Sequence, residues 1–136
     1  MRIIGFNLTK ILAERSENLK QNLQVNQNID IKDVIKEDIP ITKEEIIKIK
    51  FNLSVSYSDK SAKLEFNGNV LILPENNELK ELLDSWKNKK LPEDARVPLF
   101  NFIMNKCNIK ALYLEDELGL PLHVPLPKIS FKQPEK

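Results

Sequence analysis

Residues 47–72, IKIKFNLSVSYSDKSAKLEFNGNVLI, carry the reading on which the fold depends. Odd positions from Ile47 to Tyr57 read Ile, Ile, Phe, Leu, Val and Tyr, while even positions from Lys48 to Ser58 read Lys, Lys, Asn, Ser, Ser and Ser. In a chain with 41% hydrophobic residues this alternation arises by chance roughly once in five thousand trials. A period of two sends successive side chains to opposite faces of an extended backbone, so the segment predicts a strand with one dry face and one wet face. Ser58-Asp59-Lys60-Ser61 supplies turn chemistry. The parity then resumes with Ala62, Leu64, Phe66, Gly68, Val70 and Ile72. Closing the loop over Ser58 to Ser61 pairs Tyr57 with Ala62, Val55 with Leu64, Leu53 with Phe66 and Phe51 with Gly68. In that register every apolar side chain shares one face, and the Phe51 ring covers the gap at a strand glycine.

Upstream, Leu23, Val25, Ile29, Ile31 and Ile35 share one parity over residues 22–35, broken on the apolar side by Gln27 and by Asp33. Residues 3–14 read as the first strand, with Ile4, Phe6, Leu8 and Leu12 together and Ile3 and Ile11 on the other parity. Asp38 to Lys43 is the connector to the strand at Ile47. The expectation is an α+β fold with a four-stranded antiparallel sheet, dry on one face and solvated on the other.

After Pro74 the period lengthens. Leu79, Leu82, Leu83 and Trp86 recur at helical spacing, Asn76 or Asn77 can cap the start, and Lys87, Lys89 and Lys90 follow, which predicts a short amphipathic helix over 77–88. Leu91-Pro92 breaks it. A long helix is then expected from about Pro98 to Leu118, stopped by Gly119 and Pro121. One of its stripes holds Phe100, Ile103 or Met104, Cys107, Ala111, Leu114 and Leu118; a second holds Leu99, Phe102, Ile109, Leu112 and Tyr113. The sheet covers one stripe, so the other calls for the short helix or a second subunit. Beyond it, residues 119–136 carry Pro121, Pro125, Pro127 and Pro134 among Leu120, Leu122, Val124, Leu126, Ile129 and Phe131. That spacing forbids a helix and suits an extended tail laid on an apolar surface.

The length of 136 residues fits one domain spanning the chain, with 119–136 as its tail. With 21 Lys plus Arg against 20 Asp plus Glu, no single-sign field points to a nucleic-acid or membrane-surface binder. No run is long and apolar enough to span a bilayer, and Lys10 and Glu14 interrupt the first apolar stretch, so a cytoplasmic protein without membrane insertion is expected. One His and one Cys are too few for the usual zinc sets, so no metal is expected. Three isolated glycines make no phosphate-binding loop, and no cofactor is expected.

No catalytic set emerges either. His123 has no nucleophile or carboxylate in its local sequence and is expected as a surface or interface histidine. Cys107 lies in an apolar stripe and is expected as a small buried hydrophobe. Glu115-Asp116-Glu117 reads as a solvated helix end, because adjacent helical side chains diverge. The lysines at 87, 89 and 90 fit a favourable helix terminus about as well as a phosphate contact. The protein is therefore not expected to be an enzyme.

The order of four two-faced strands, a short helix, a long helix, Gly119-Leu120-Pro121 and the tail Leu126-Pro127-Lys128-Ile129-Ser130-Phe131 resembles the SecB family of export chaperones. It is similar, too, to an archaeal protein group with this same layout. The resemblance implies a homo-oligomer, dimer or tetramer, with long helices packed between sheets and apolar grooves that hold non-native polypeptide. On that basis Leu120, Leu122, Val124, Leu126, Ile129 and Phe131 are expected to line or border a groove for extended clients, unless they cap the protein's own core. Leu99, Phe102, Ile109 and Tyr113 are expected at subunit contacts. The functional expectation is an ATP-independent holdase; the alternative is an oligomeric scaffold or complex subunit with one fixed partner.

Overall fold

A computed structural model describes residues 1–41, 44–75 and 77–127. Four strands, β1 (Arg2–Arg15), β2 (Val25–Asp38), β3 (Glu45–Tyr57) and β4 (Ala62–Leu73), form one antiparallel sheet in the order β1-β4-β3-β2. Two helices follow, α1 (Glu78–Trp86) and α2 (Glu93–Glu117), and pack on the dry face. The hairpin β3–β4 has the register that strict alternation demands: Val55 faces Leu64, Leu53 faces Phe66 and Phe51 faces Gly68. At its turn Asp59 and Lys60 take left-handed backbone (φ 59° and 56°), and the Ser61 hydroxyl donates to the Ser58 carbonyl at 2.6 Å. Gly68 is required by close approach. A Cβ there would lie 2.2 Å from the Asn7 carbonyl oxygen and 3.1 Å from the Phe51 ring, which covers the site as expected.

The outer strands depart from simple parity through bulges. In β1 the pairing slips between Ile3 and Gly5 and again between Leu8 and Lys10. Each extra residue flips the faces that follow it. Ile3, Phe6, Leu8 and Ala13 therefore pack against the core, whereas Ile4 is exposed, against the expectation that it would lie with Phe6 and Leu8. The expected partner Leu12 stands opposite Glu65, on the wet side. In β2 the slip between Ile31 and Asp33 brings Val34 opposite Ile49 and buries it, and turns Ile35, expected among the dry set, to face Lys48.

Helix α1 buries Leu82, with Leu79, Leu83 and Trp86 packed around the core. Asn77 holds its N-cap position without a side-chain capping bond; instead the Glu75 N–H donates to Glu78 Oε1 at 2.7 Å. Asn76, the other expected cap, lies outside the described residues. Helix α2 begins at Glu93, earlier than expected, with Pro98 inside it. A proline removes one backbone donor, and since Pro98 sits on the exposed side near the start, water can serve the freed carbonyl. The C-terminus closes as the glycine signals: Gly119 is left-handed (φ 65°), its N–H donates to Asp116 at 3.2 Å, and the Leu120 N–H reaches back to Glu115 at 2.8 Å. The Arg15 guanidinium at the end of β1 donates to the Leu118 carbonyl at 2.9 Å, placing a cation on the negative end of the helix dipole.

Candidate polypeptide-binding surface

Helix α2 presents two faces. Leu99, Ile103, Cys107, Ala111 and Glu115 form an i+4 row that is fully buried against the sheet. Burial pushes the Cys107 thiol up to about 11, as suits a packing residue rather than a nucleophile. The second face carries Phe102, Ile109 and Tyr113. Phe102 packs edge-on against Phe6 of β1 with centroids 5.8 Å apart, and Phe6 in turn stacks on Phe51 at 5.7 Å. Beyond Phe102 the stripe runs out of neighbours: Ile109 is 71% exposed and Tyr113 65%. Of the four residues expected at subunit contacts, Leu99 thus spends its side chain inside the chain's own core, Phe102 is shared, and Ile109 and Tyr113 stand free of the fold.

The start of the tail is pinned. Leu120 is 6% exposed and joins the core, so among the expected groove residues it serves the chain's own packing. The Tyr57 hydroxyl donates to the Pro121 carbonyl. Burial, reinforced by the nearby Glu115 charge, holds that phenol above its usual range. Next, the His123 N–H donates to Glu115 Oε1 at 3.0 Å, and His123 Nδ1 lies 2.6 Å from Glu115 Oε2. His123 Nε2 lies 2.9 Å from Asn108 Oδ1, which also accepts from Gln27 Nε2 at 2.8 Å. Between Pro121 and His123 the side chain of Leu122 faces solvent, and beyond His123 Val124 is half-buried and Leu126 exposed. The expected groove residues Ile129 and Phe131 lie outside the described residues.

This network corrects two expectations. His123 is not a surface histidine: its side chain is 2% exposed. Glu115 is not part of a solvated helix end; its side chain is fully buried while Asp116 and Glu117 face water. Both ring nitrogens face oxygen partners and the ring is closed off, so the pair works as a clamp on the tail, with no open position for a reacting group. Sequence reasoning singled out Gln27, Glu115 and His123 separately, passed over Asn108 and missed the assembly. The available signals were Gln27, a polar residue set among apolar ones on one parity of its strand, and Glu115, which continues the i+4 row of the core.

The wet sheet face balances its charges locally. Lys48 lies 2.8 Å from Glu37, and Lys10 lies 3.1 Å from Glu65. Asn52 donates to Glu65 at 2.8 Å and, ahead of Lys10, holds its carboxyl below the usual range. No helix among the described residues is long and apolar enough to cross a membrane.

No protein-family model and no curated protein sequence matches this chain. Among solved structures it is similar to the SecB-like chaperone Rv1957 of Mycobacterium tuberculosis, determined in complex with a ChAD peptide from the Rv1956 HigA1 antitoxin. The superposition covers 98% of this chain and 92% of that one, with a TM-score of 0.51 and 18% sequence identity. With near-complete coverage of both chains and a four-stranded antiparallel sheet followed by two helices, the fold of this protein is SecB-like.

Proposed function

We propose that this protein is a non-enzymatic, ATP-independent holdase that binds non-native polypeptide on its apolar surfaces and acts as a homo-oligomer. The observation that carries the reading is the division of labour on α2 and the tail. One row of α2 completes the core, while Ile109, Tyr113, Leu122 and Leu126 remain exposed on a backbone that the buried clamp holds in place. Removing such area from water yields about 25 cal/mol per Å² without demanding a particular partner sequence, which is what a promiscuous client site needs. The peptide-bound state of the structurally similar mycobacterial chaperone supports the same reading. Ile109 and Tyr113, with Phe102 behind them, are the residues assigned to subunit contact. Leu122, Val124 and Leu126 are assigned to the client groove, continued by Ile129 and Phe131.

The test is aggregation suppression of several unrelated denatured proteins at stoichiometric ratios, run beside a mass measurement. Protection of all of them together with a species larger than 15.8 kDa is the expected result. Replacing Leu122, Val124 and Leu126 together by Ser is expected to abolish protection with unchanged circular dichroism. A chain that protects no denatured protein and captures one lysate protein in fixed ratio would be a scaffold instead.

A further inference from the structure

We propose that the cleft between the free edge of β2 and the α1–α2 turn docks an extended polypeptide segment whose apolar side chains are flanked by carboxylates. The inference rests on the holdase reading and names the class of client that this part of the surface prefers. The cleft encloses about 400 Å³. Its apolar lining comes from Ile29 and Ile31 of β2, Trp86 at the end of α1, and Leu91 and Phe100. Over this floor stand three cations, Lys89, Lys90 and Arg96.

Three features select the occupant. The first is charge. No carboxylate among the described residues pairs with Lys89, Lys90 or Arg96, and the Lys89 ammonium lies 5.1 Å over the Trp86 ring. The single acid of the cleft, Asp30, is already engaged by Asn28 at 3.3 Å and by Lys32 at 3.9 Å. A cationic rim over an apolar floor complements an acidic and apolar segment. The second is backbone. Among the described residues β2 pairs only with β3, so its other edge leaves N–H and C=O groups that an added strand can use. Ile29, Asp30 and Ile31 belong to both parities of that strand, which opens the cleft onto the edge itself. The third is the floor: Ile29, Ile31 and Leu91, with the rings of Trp86 and Phe100, accept Leu, Val or Phe, whereas a nucleic-acid strand would want a floor made chiefly of aromatic platforms. The turn that offers the cations also holds Lys89 in left-handed backbone (φ 58°), a conformation that a lysine adopts at a cost.

The experiment titrates the full chain with three labelled peptides of one extended apolar sequence, flanked by Glu, by Lys or by Ser. Trp86 is the only tryptophan, so its emission reports docking in the cleft independently of the label. The Glu-flanked peptide is expected to bind about tenfold tighter than the Ser-flanked one and to shift Trp86 emission, with the Lys-flanked peptide weakest and the gap closing as salt rises. Lys89→Glu, Lys90→Glu and Arg96→Glu together are expected to invert the order. The corresponding Gln variant is expected to level it, and both should keep native circular dichroism because all three positions are exposed. Equal affinities for the three peptides in the native chain would overturn the proposal while leaving general polypeptide binding intact. Absence of binding by all three would overturn it as well, and the aggregation assay then shows whether the holdase reading falls with it. A single-stranded oligonucleotide that displaces the Glu-flanked peptide would assign the cleft to nucleic acid and overturn the proposal.

Discussion

The inner strands β3 and β4 and the outer strands β1 and β2 draw on similar residue types and reach different ends. Between β3 and β4 the register is unbroken from Ile47↔Ile72 to Ser56↔Lys63, and the inward side chains from Ile47 to Val55 and from Leu64 to Ile72 are almost wholly buried. The outer strands carry all the slips, two in β1 and one in β2, and their apolar residues are mostly half-buried or exposed. A strand with neighbours on both sides can devote its alternation to one core. An edge strand must also manage unpaired backbone, and bulges bend it and redirect its side chains. The lesson is that the inner pair encodes the fold while the outer pair, with the outer face of α2 and the tail, carries the apolar residues that the core leaves exposed.

That contrast is open to measurement. The largest expected effect lies at the centre: Phe66→Ala should cost about 3–5 kcal/mol in urea unfolding, whereas Ile11→Ala on the exposed edge should stay within about 0.5 kcal/mol. Comparable losses at the two positions would erase the distinction. Next comes the clamp. Glu115→Ala leaves His123 buried without its carboxylate and should cost about 3 kcal/mol, while Glu115→Met with His123→Leu, which removes both partners, should cost clearly less. A double variant as unstable as the single one would show that packing, not the pair, holds the tail. Gly68→Ala should cost about 1–3 kcal/mol and loosen amide protection along β1 first, because the added methyl meets the Asn7 carbonyl. Uniform loss of protection across the sheet would place the strain elsewhere. The smallest change in stability is expected at the outer stripe, where Ile109→Ser with Tyr113→Ser should shift unfolding of the dissociated chain by no more than about 0.5 kcal/mol yet leave a sedimenting species of 15.8 kDa. A native mass unaltered by these substitutions would move the subunit contact to another face.

Much of the architecture was legible because it rests on short periods. The alternation of Ile47 to Ile72 and the turn at Ser58 to Ser61 set the hairpin register without knowledge of anything else, and Gly119 with Pro121 marked the end of α2. The parity of β1 and β2 was less legible, since a bulge at Ile4, Thr9 or Lys32 leaves no mark in a pattern of apolar and polar letters. Exposure was harder still. Leu99 and Ile109 read alike in the sequence as members of one apolar stripe, and only the direction in which α2 lies on the sheet buries the first and bares the second.

The polar clamp shows where that boundary falls. Gln27, Asn108, Glu115 and His123 come from an edge strand, a long helix and a proline-bearing tail, and nothing in the neighbourhood of any one of them names the others. Sequence by itself determined the strands, the inner register and the helix stop, because those follow from local periodicity and turn chemistry. The tertiary structure alone decided which polar groups meet in the interior and which apolar groups are left outside. Both depend on distances between segments far apart in the chain, and a buried charge is tolerated only where such a meeting supplies its partner.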